Sequence, residues 1–145
     1  MSATNAPIER LKDIARKSTN TIKHAAVVMI GGKILSYGFN SMRGSKTDHA
    51  ECSAIRKYMY TRGINETTIF KRKFSKLTVV VIRLSCGDNI SMSKPCKHCI
   101  EYMRKLGIKA VIYSNNNGDM IKENVKKINN KHVCQLRRVF KNKKY

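Results

Sequence analysis

LTVVVIRL (77–84), PCKHCIEYMRKLG (95–107) and IKAVIY (108–113) follow one another along the chain, and their order decides the fold. The first is a near-continuous β-branched run, the pattern of a central strand covered on both faces. The second opens on Pro95, which suits a helix start, and stops at Gly107, which suits a helix end. The third is a second buried strand. Strand, helix and strand at this spacing make a βαβ unit with two parallel strands. The fold class is therefore α/β.

On the N-terminal side, Asn5-Ala-Pro7 opens a helix with Glu9 in its first turn, and Ile8, Leu11, Ile14 and Ala15 form its apolar stripe. Residues 25–30, Gly31-Gly32 and residues 33–39 read as a β-hairpin whose glycines supply the positive φ of a tight turn. Asn40 to Asp48 reads as a loop, Ala50 to about Arg62 as a second helix, and Lys71 to Lys76 as a basic surface segment. A polar loop from Ser85 to Lys94 leads into Pro95. After Tyr113 two readings compete. Asn115-Asn-Asn-Gly118 is a hairpin turn into a strand over 119–125, or Asp119 caps a helix with Ile121, Val125 and Ile128 on its apolar face. The strength of the turn signal favours the hairpin.

The 145 residues predict a single domain over 1–136, followed by a basic tail, 137–145, that is either a disordered solubilising end or a phosphate-seeking arm. Hydrophobic residues make up 41% and charged residues 27%, a globular composition. The longest largely apolar runs, 25–30 and 77–82, fall far short of the about 20 residues of a membrane-spanning helix, so no membrane partner is expected. The first residues lack the apolar core of a signal peptide, and the odd number of cysteines does not look like a secreted disulfide framework. Both observations point to a reducing, intracellular setting. Lys plus Arg total 30 against nine Asp plus Glu, a net charge of +21. Drift toward AT-rich codons would raise Glu along with Lys, and Glu occurs only five times, so the excess points to nucleic acid, nucleotides or another polyanion, the alternative being a solvated surface with no specific partner.

Two short pieces carry chemistry: His49-Ala50-Glu51 and Pro95-Cys96-Lys97-His98-Cys99. Alone, C-x-x-C fits a redox pair or half of a zinc finger. On a first helical turn, however, Cys96 and Cys99 share a face, and the helix N-terminus favours their thiolates. Two thiolates and one imidazole bind Zn²⁺ and leave a fourth tetrahedral position open, the catalytic arrangement. Cys52, Cys86 and Cys134 are scattered singly and are read as buried or incidental thiols. His24 and His132 carry no argument, and His98 is expected to point away from the metal. His49 and Glu51, two apart, reach one centre only if they straddle a helix start. A carboxylate there can move protons. Ala50 between them is small enough to admit a flat ring.

In these motifs the chain resembles the zinc-dependent nucleoside and nucleobase deaminases, the cytidine deaminase superfamily, whose mark is H-x-E…P-C-x-x-C. The order of elements over about residues 8–114 is similar to that family's as well. The resemblance implies a three-layer α/β/α fold, with a central mixed sheet of about five strands and helices on both faces. It implies Zn²⁺ held by His49, Cys96 and Cys99, with Glu51 as the proton shuttle in converting a cytosine to uracil, or an adenine to hypoxanthine. Gly38-Phe39-Asn40 looks like the family's Gly-x-Asn, which makes Asn40 a substrate-binding candidate. The family also implies a homo-oligomer. Arg43 and Lys46 follow Asn40 closely enough to hold a substrate phosphate.

The chain departs from the family in its long, polar 85–94 connection, and it lacks the S-W-S-P-C segment of the polynucleotide deaminases. Three functions are weighed: a deaminase of a free cytosine nucleoside or nucleotide, a deaminase acting within RNA or single-stranded DNA, and a nucleic-acid-binding protein with a structural zinc. The H-A-E form favours the first, the charge supports the second, and an intact Glu51 counts against the third.

Overall fold

A computed structural model of the chain describes residues 7–20, 22–43, 46–64, 74–85 and 89–129. The basic tail, Cys86, Cys134, His132 and residues 71–73 of the basic segment lie outside the described residues.

The β-branched run 78–84 sits in the middle of the molecule because both of its faces are apolar. As β5 (Thr78–Leu84) it pairs on one side with β1 (Lys23–Ile30), antiparallel, and on the other with β7 (Ala110–Ser114), parallel. The outer strands are β2 (Lys33–Phe39) and β8 (Met120–Asn124), each antiparallel to its neighbour, giving the order β2-β1-β5-β7-β8. The competition after Tyr113 is thus resolved as the hairpin. Asn115 Oδ1 accepts the N–H groups of Asn117 and Asp119, which stabilises the turn more directly than a helix cap would. Val125 and Ile128 still reach the core, just past the strand. The guanidinium of Arg104 donates to the carbonyls of both residues.

α1 (Ile8–Ala15) covers one face of the sheet, burying Leu11, Ile14 and Ala15 against Ala25, Val27, Val80 and Ile82. α2 (Ala50–Thr61) and α3 (Lys97–Leu106) cover the other, against Ala26, Val28, Val79, Val81, Val111 and Tyr113. This is the expected three-layer arrangement with a mixed sheet. No described helix is long and apolar enough to cross a membrane.

Several local expectations are corrected. The prolines stand one or two places earlier than a first helical residue: Pro7 is the N-cap of α1, and Pro95 precedes the N-cap Cys96. Only Gly31 of the Gly-Gly pair uses positive φ, at 57°. The loop 40–48 contains a small antiparallel pair, β3 (Ser41–Arg43) and β4 (Lys46–Asp48). The polar connection 85–94 contains β6 (Ile90–Ser91), which pairs with β5 beyond the end of β7. Phe74, in the basic segment, is fully buried and meets Tyr58 edge-on at 6.1 Å between centroids. A large apolar ring flanked by lysines reads as surface in sequence but belongs to the core.

Candidate metal and active site

The site forms where the starts of α2 and α3 meet over the sheet. His49 is the N-cap of α2, with φ −77° and ψ 145°. That extended backbone lets His49 and Glu51 straddle the helix start, whereas i and i+2 within a helix would point apart. Cys96 is the N-cap of α3, also extended (φ −70°, ψ 167°), and Cys99 lies in the first turn. Among the described residues His49, Cys96 and Cys99 form the one cluster of three or more such side chains able to hold a metal ion, their ligand atoms all within 4.8 Å of one another.

The spacing can be tested against zinc. Tetrahedral Zn–S bonds of about 2.3 Å place two sulfurs about 3.8 Å apart, and Cys96 Sγ lies 3.7 Å from Cys99 Sγ. His49 Nδ1 lies 3.1 Å from Cys99 Sγ and 3.8 Å from Cys96 Sγ, bracketing the about 3.6 Å that mixed Zn–N and Zn–S bonds require. Two thiols and an imidazole are also the donors zinc prefers, and three protein donors match a catalytic rather than a closed structural site. Hydrogen bonding with Cys99 pulls the Cys96 thiol down to about 3 against the opposing effect of burial, with His49 helping. Cys96 is thereby in the thiolate form that binds metal. Bonding with Cys52 and Cys96, and then burial, push Cys99 well up.

Glu51 is buried at 6% exposure, and burial raises its carboxyl above the ordinary glutamate value, with His49 pulling the other way. Ala50, fully buried, joins the core beneath the helix start. Gly38 on β2 explains how α2 comes so close. A Cβ there would fall 2.5 Å from Ala54 N and 2.8 Å from Ala50 O, so only a glycine lets the helix backbone rest on the strand.

Asn40 is buried beside the site, and its side chain is tied to backbone. Oδ1 accepts the His24 N–H at 2.8 Å, and Nδ2 donates to the Ile22 carbonyl at 2.8 Å. Ser18 Oγ donates to the Asn40 carbonyl at 2.7 Å. Arg43 and Lys46 face one another as Cα partners in the β3–β4 hairpin, and their side chains lie outside the described residues.

Sequence reasoning missed several members of this region. Cys52 Sγ lies 3.9 Å from Cys99 Sγ and is half-buried, not incidental. His24 lies close enough to Arg83, His49 and Cys96 to feel their charges. Burial first, then Arg83 and His49, lower it to about 4, so it is neutral at pH 7. The alternation His24, Ala26, Val28 along β1 was the available signal, since it places His24 on the face that carries the site. A serine cluster leads the chain into Cys96. Ser93 Oγ donates to the Val81 carbonyl at 2.8 Å, the Ser114 N–H donates to Ser93 Oγ at 2.7 Å, and Ser114 Oγ donates to the Ser91 carbonyl at 2.7 Å.

Comparison with known proteins agrees with this geometry. The family model described as the cytidine and deoxycytidylate deaminase zinc-binding region matches residues 1–115. Among solved structures, the cytidine deaminase from Burkholderia pseudomallei is similar with a TM-score of 0.62 at 21% identity, over 86% of this chain and 94% of that one. The dCMP deaminase from the cyanophage S-TIM5 is similar with a TM-score of 0.54 at 20% identity, over 80% and 86%. The cytidine deaminase from Mycobacterium leprae gives 0.52 at 15% identity, over 83% and 95%. At these identities the likeness is one of fold. No curated protein sequence matches the chain. The match over residues 1–115, together with a His-Cys-Cys trio at zinc spacing, shows that the chain belongs to the cytidine and deoxycytidylate deaminase zinc-binding family, as a zinc-dependent hydrolytic deaminase.

Proposed function

We propose that the protein converts the cytosine of a free nucleoside or nucleotide to uracil, taking up one water and releasing one ammonia, with Glu51 as the proton-transferring group. The observation that carries this reading is the buried Glu51 carboxyl in the first turn of the helix whose cap is His49. Zinc, when bound by His49, Cys96 and Cys99, supplies Lewis acidity toward a water molecule. Glu51 lies outside the trio of ligands yet within reach of the charges of His49 and Cys96, so its carboxylate stays available for proton work. It takes a proton from the attacking water, passes it to N3 of the ring, and then assists departure of the C4 amino group. Burial shields these transfers from bulk solvent. Asn40 holds the ends of β1 and β2 together beside the site, which places its remaining amide hydrogen and lone pair as candidates for a substrate hydroxyl or base edge.

A second reading, deamination within RNA or single-stranded DNA, is favoured by one observation, the net charge of +21. Ammonia release by zinc-loaded protein from cytidine, CMP, dCMP, single-stranded DNA and tRNA separates the two. The expected result is turnover on the monomers. Glu51→Ala is expected to retain zinc and lose about 10²–10⁴-fold in kcat. Turnover on polymer alone, or full activity in Glu51→Ala, would overturn the proposal.

A further inference from the structure

β5 outruns β7, which pairs only with residues 78–81, and β6 takes over as its neighbour at residues 83 and 84. Across this end of the sheet His24, Arg83 and Ser91 form one row: His24 is the Cα partner of Arg83, and Arg83 is the Cα partner of Ser91. His24 and Arg83 continue the alternation of Ala26 and Val81, so the row lies on the face covered by α2 and α3. It also lies at the C-terminal end of the parallel strands, where α/β sheets bind their ligands.

Two polar atoms in this row are shut off from solvent and have no hydrogen-bond partner among the described residues. They are Arg83 Nε and Ser91 Oγ. Buried polar atoms are nearly always paired, and an orphaned guanidinium nitrogen is costly. That two orphans occur on directly opposed residues of adjacent strands points to one shared acceptor. Arg83 is permanently charged and presents its donors in a fork that suits phosphate. The Ser91 hydroxyl adds a donor beside it. His24 connects this row to the metal ligands, since it lies within charge reach of Arg83 on one side and of His49 and Cys96 on the other.

Resting on the deaminase reading above, we infer that Arg83 and Ser91 form an anion subsite at the edge of the active site, which takes the phosphate of a nucleoside monophosphate. The substrate class is thereby a cytosine nucleotide and not the bare nucleoside.

The test uses the zinc-loaded full chain and two readouts. One is ammonia release from dCMP and from deoxycytidine. The other is calorimetric binding of the products dUMP and deoxyuridine, with inorganic phosphate and a single-stranded oligonucleotide as further ligands. The wild type is expected to favour the monophosphate in both readouts. Arg83→Gln is expected to reduce the dCMP-to-deoxycytidine ratio of kcat/KM, and the dUMP-to-deoxyuridine affinity ratio, by about 10- to 100-fold, the size of a charge-assisted hydrogen bond. Arg83→Lys is expected to restore part of the preference, and Ser91→Ala to lose several-fold; these two variants carry the test if Arg83→Gln does not fold. Equal treatment of nucleotide and nucleoside by the wild type would overturn the subsite. A proportionate loss on both substrates in Arg83→Gln would do the same, as would tighter binding of the oligonucleotide than of dUMP through Arg83. Phosphate-selective binding without any turnover would sustain the subsite and overturn the deaminase reading instead.

Discussion

The starts of α2 and α3 deliver metal ligands in the same way but rest on the sheet through different contacts. At each, an N-cap residue with extended backbone offers a donor atom, His49 Nδ1 or Cys96 Sγ, while the helix that follows packs on the same face of the sheet. The start of α2 is placed by close backbone contact, with Ala50 and Ala54 resting directly on Gly38 and Ser36 Oγ donating to the Ala54 carbonyl at 2.8 Å. The start of α3 is placed by polar contact, with the approach to Cys96 tied through Ser93 and Ser114 to the Val81 carbonyl of the central strand. The contrast shows that two helix starts on one sheet face can be seated by different contacts and still bring their ligand atoms together. The two helices also touch one another, with Tyr102 Oη donating to Met59 Sδ at 3.9 Å.

These contacts can be broken one side at a time. The largest effect is expected where the two sides meet. Cys96→Ala removes a thiolate that the other two ligands cannot replace, and elemental analysis is expected to find the zinc lost, with turnover abolished. Gly38→Ala attacks the α2 side alone. Its new methyl meets backbone atoms that cannot yield cheaply, so about 3 kcal/mol of stability is expected to go, measured by denaturant unfolding, together with weakened zinc binding as His49 shifts. Retention of both would show that α2 is not held by this contact. Ser93→Ala attacks the α3 side alone. It leaves the Val81 carbonyl and the Ser114 N–H short of a partner, an expected cost of about 2 kcal/mol, with Ser93→Thr as the rescue that keeps the hydroxyl.

The smallest expected effect concerns His24, which borders both sides. Its folded-state pKa is lowered to about 4 from 6.5, so its contribution to stability is present above pH 6.5 and is lost as the pH falls toward 4. Near pH 5.5 the wild type has lost about 1 kcal/mol relative to a variant without this titration. The melting temperature of His24→Gln minus that of the wild type is therefore expected to move in the variant's favour between pH 7 and pH 5. A flat difference would show that His24 is not held neutral by its surroundings.

Much of this was legible because it is local. Periodicity placed α1, α2, α3 and the long strands. Turn chemistry at Asn115–Gly118 favoured the hairpin that is found. H-A-E and P-C-x-x-C marked the metal trio through the resemblance to the deaminase family, in which the two motifs occur together. What was not legible depends on partners far along the chain. Phe74 reads as surface because its lysine-rich neighbours hide a core ring whose partner, Tyr58, lies on another element. The short strands β3, β4 and β6 have no apolar alternation to announce them. The ties of the Asn40 side chain to the backbone of Ile22 and His24 likewise join residues far apart in the chain.

The row of His24, Arg83 and Ser91 marks the limit most clearly. Its three members come from three segments, and no spacing rule links them. The sequence alone determined the class of fold, because periodicity acts between near neighbours in the chain, and its paired motifs marked the metal donors through the family resemblance. Only the tertiary structure decided which helix start rests on which strand, and which buried polar atoms are left to face one another. Those outcomes follow from strand register, and register is set by the packing of the whole sheet at once.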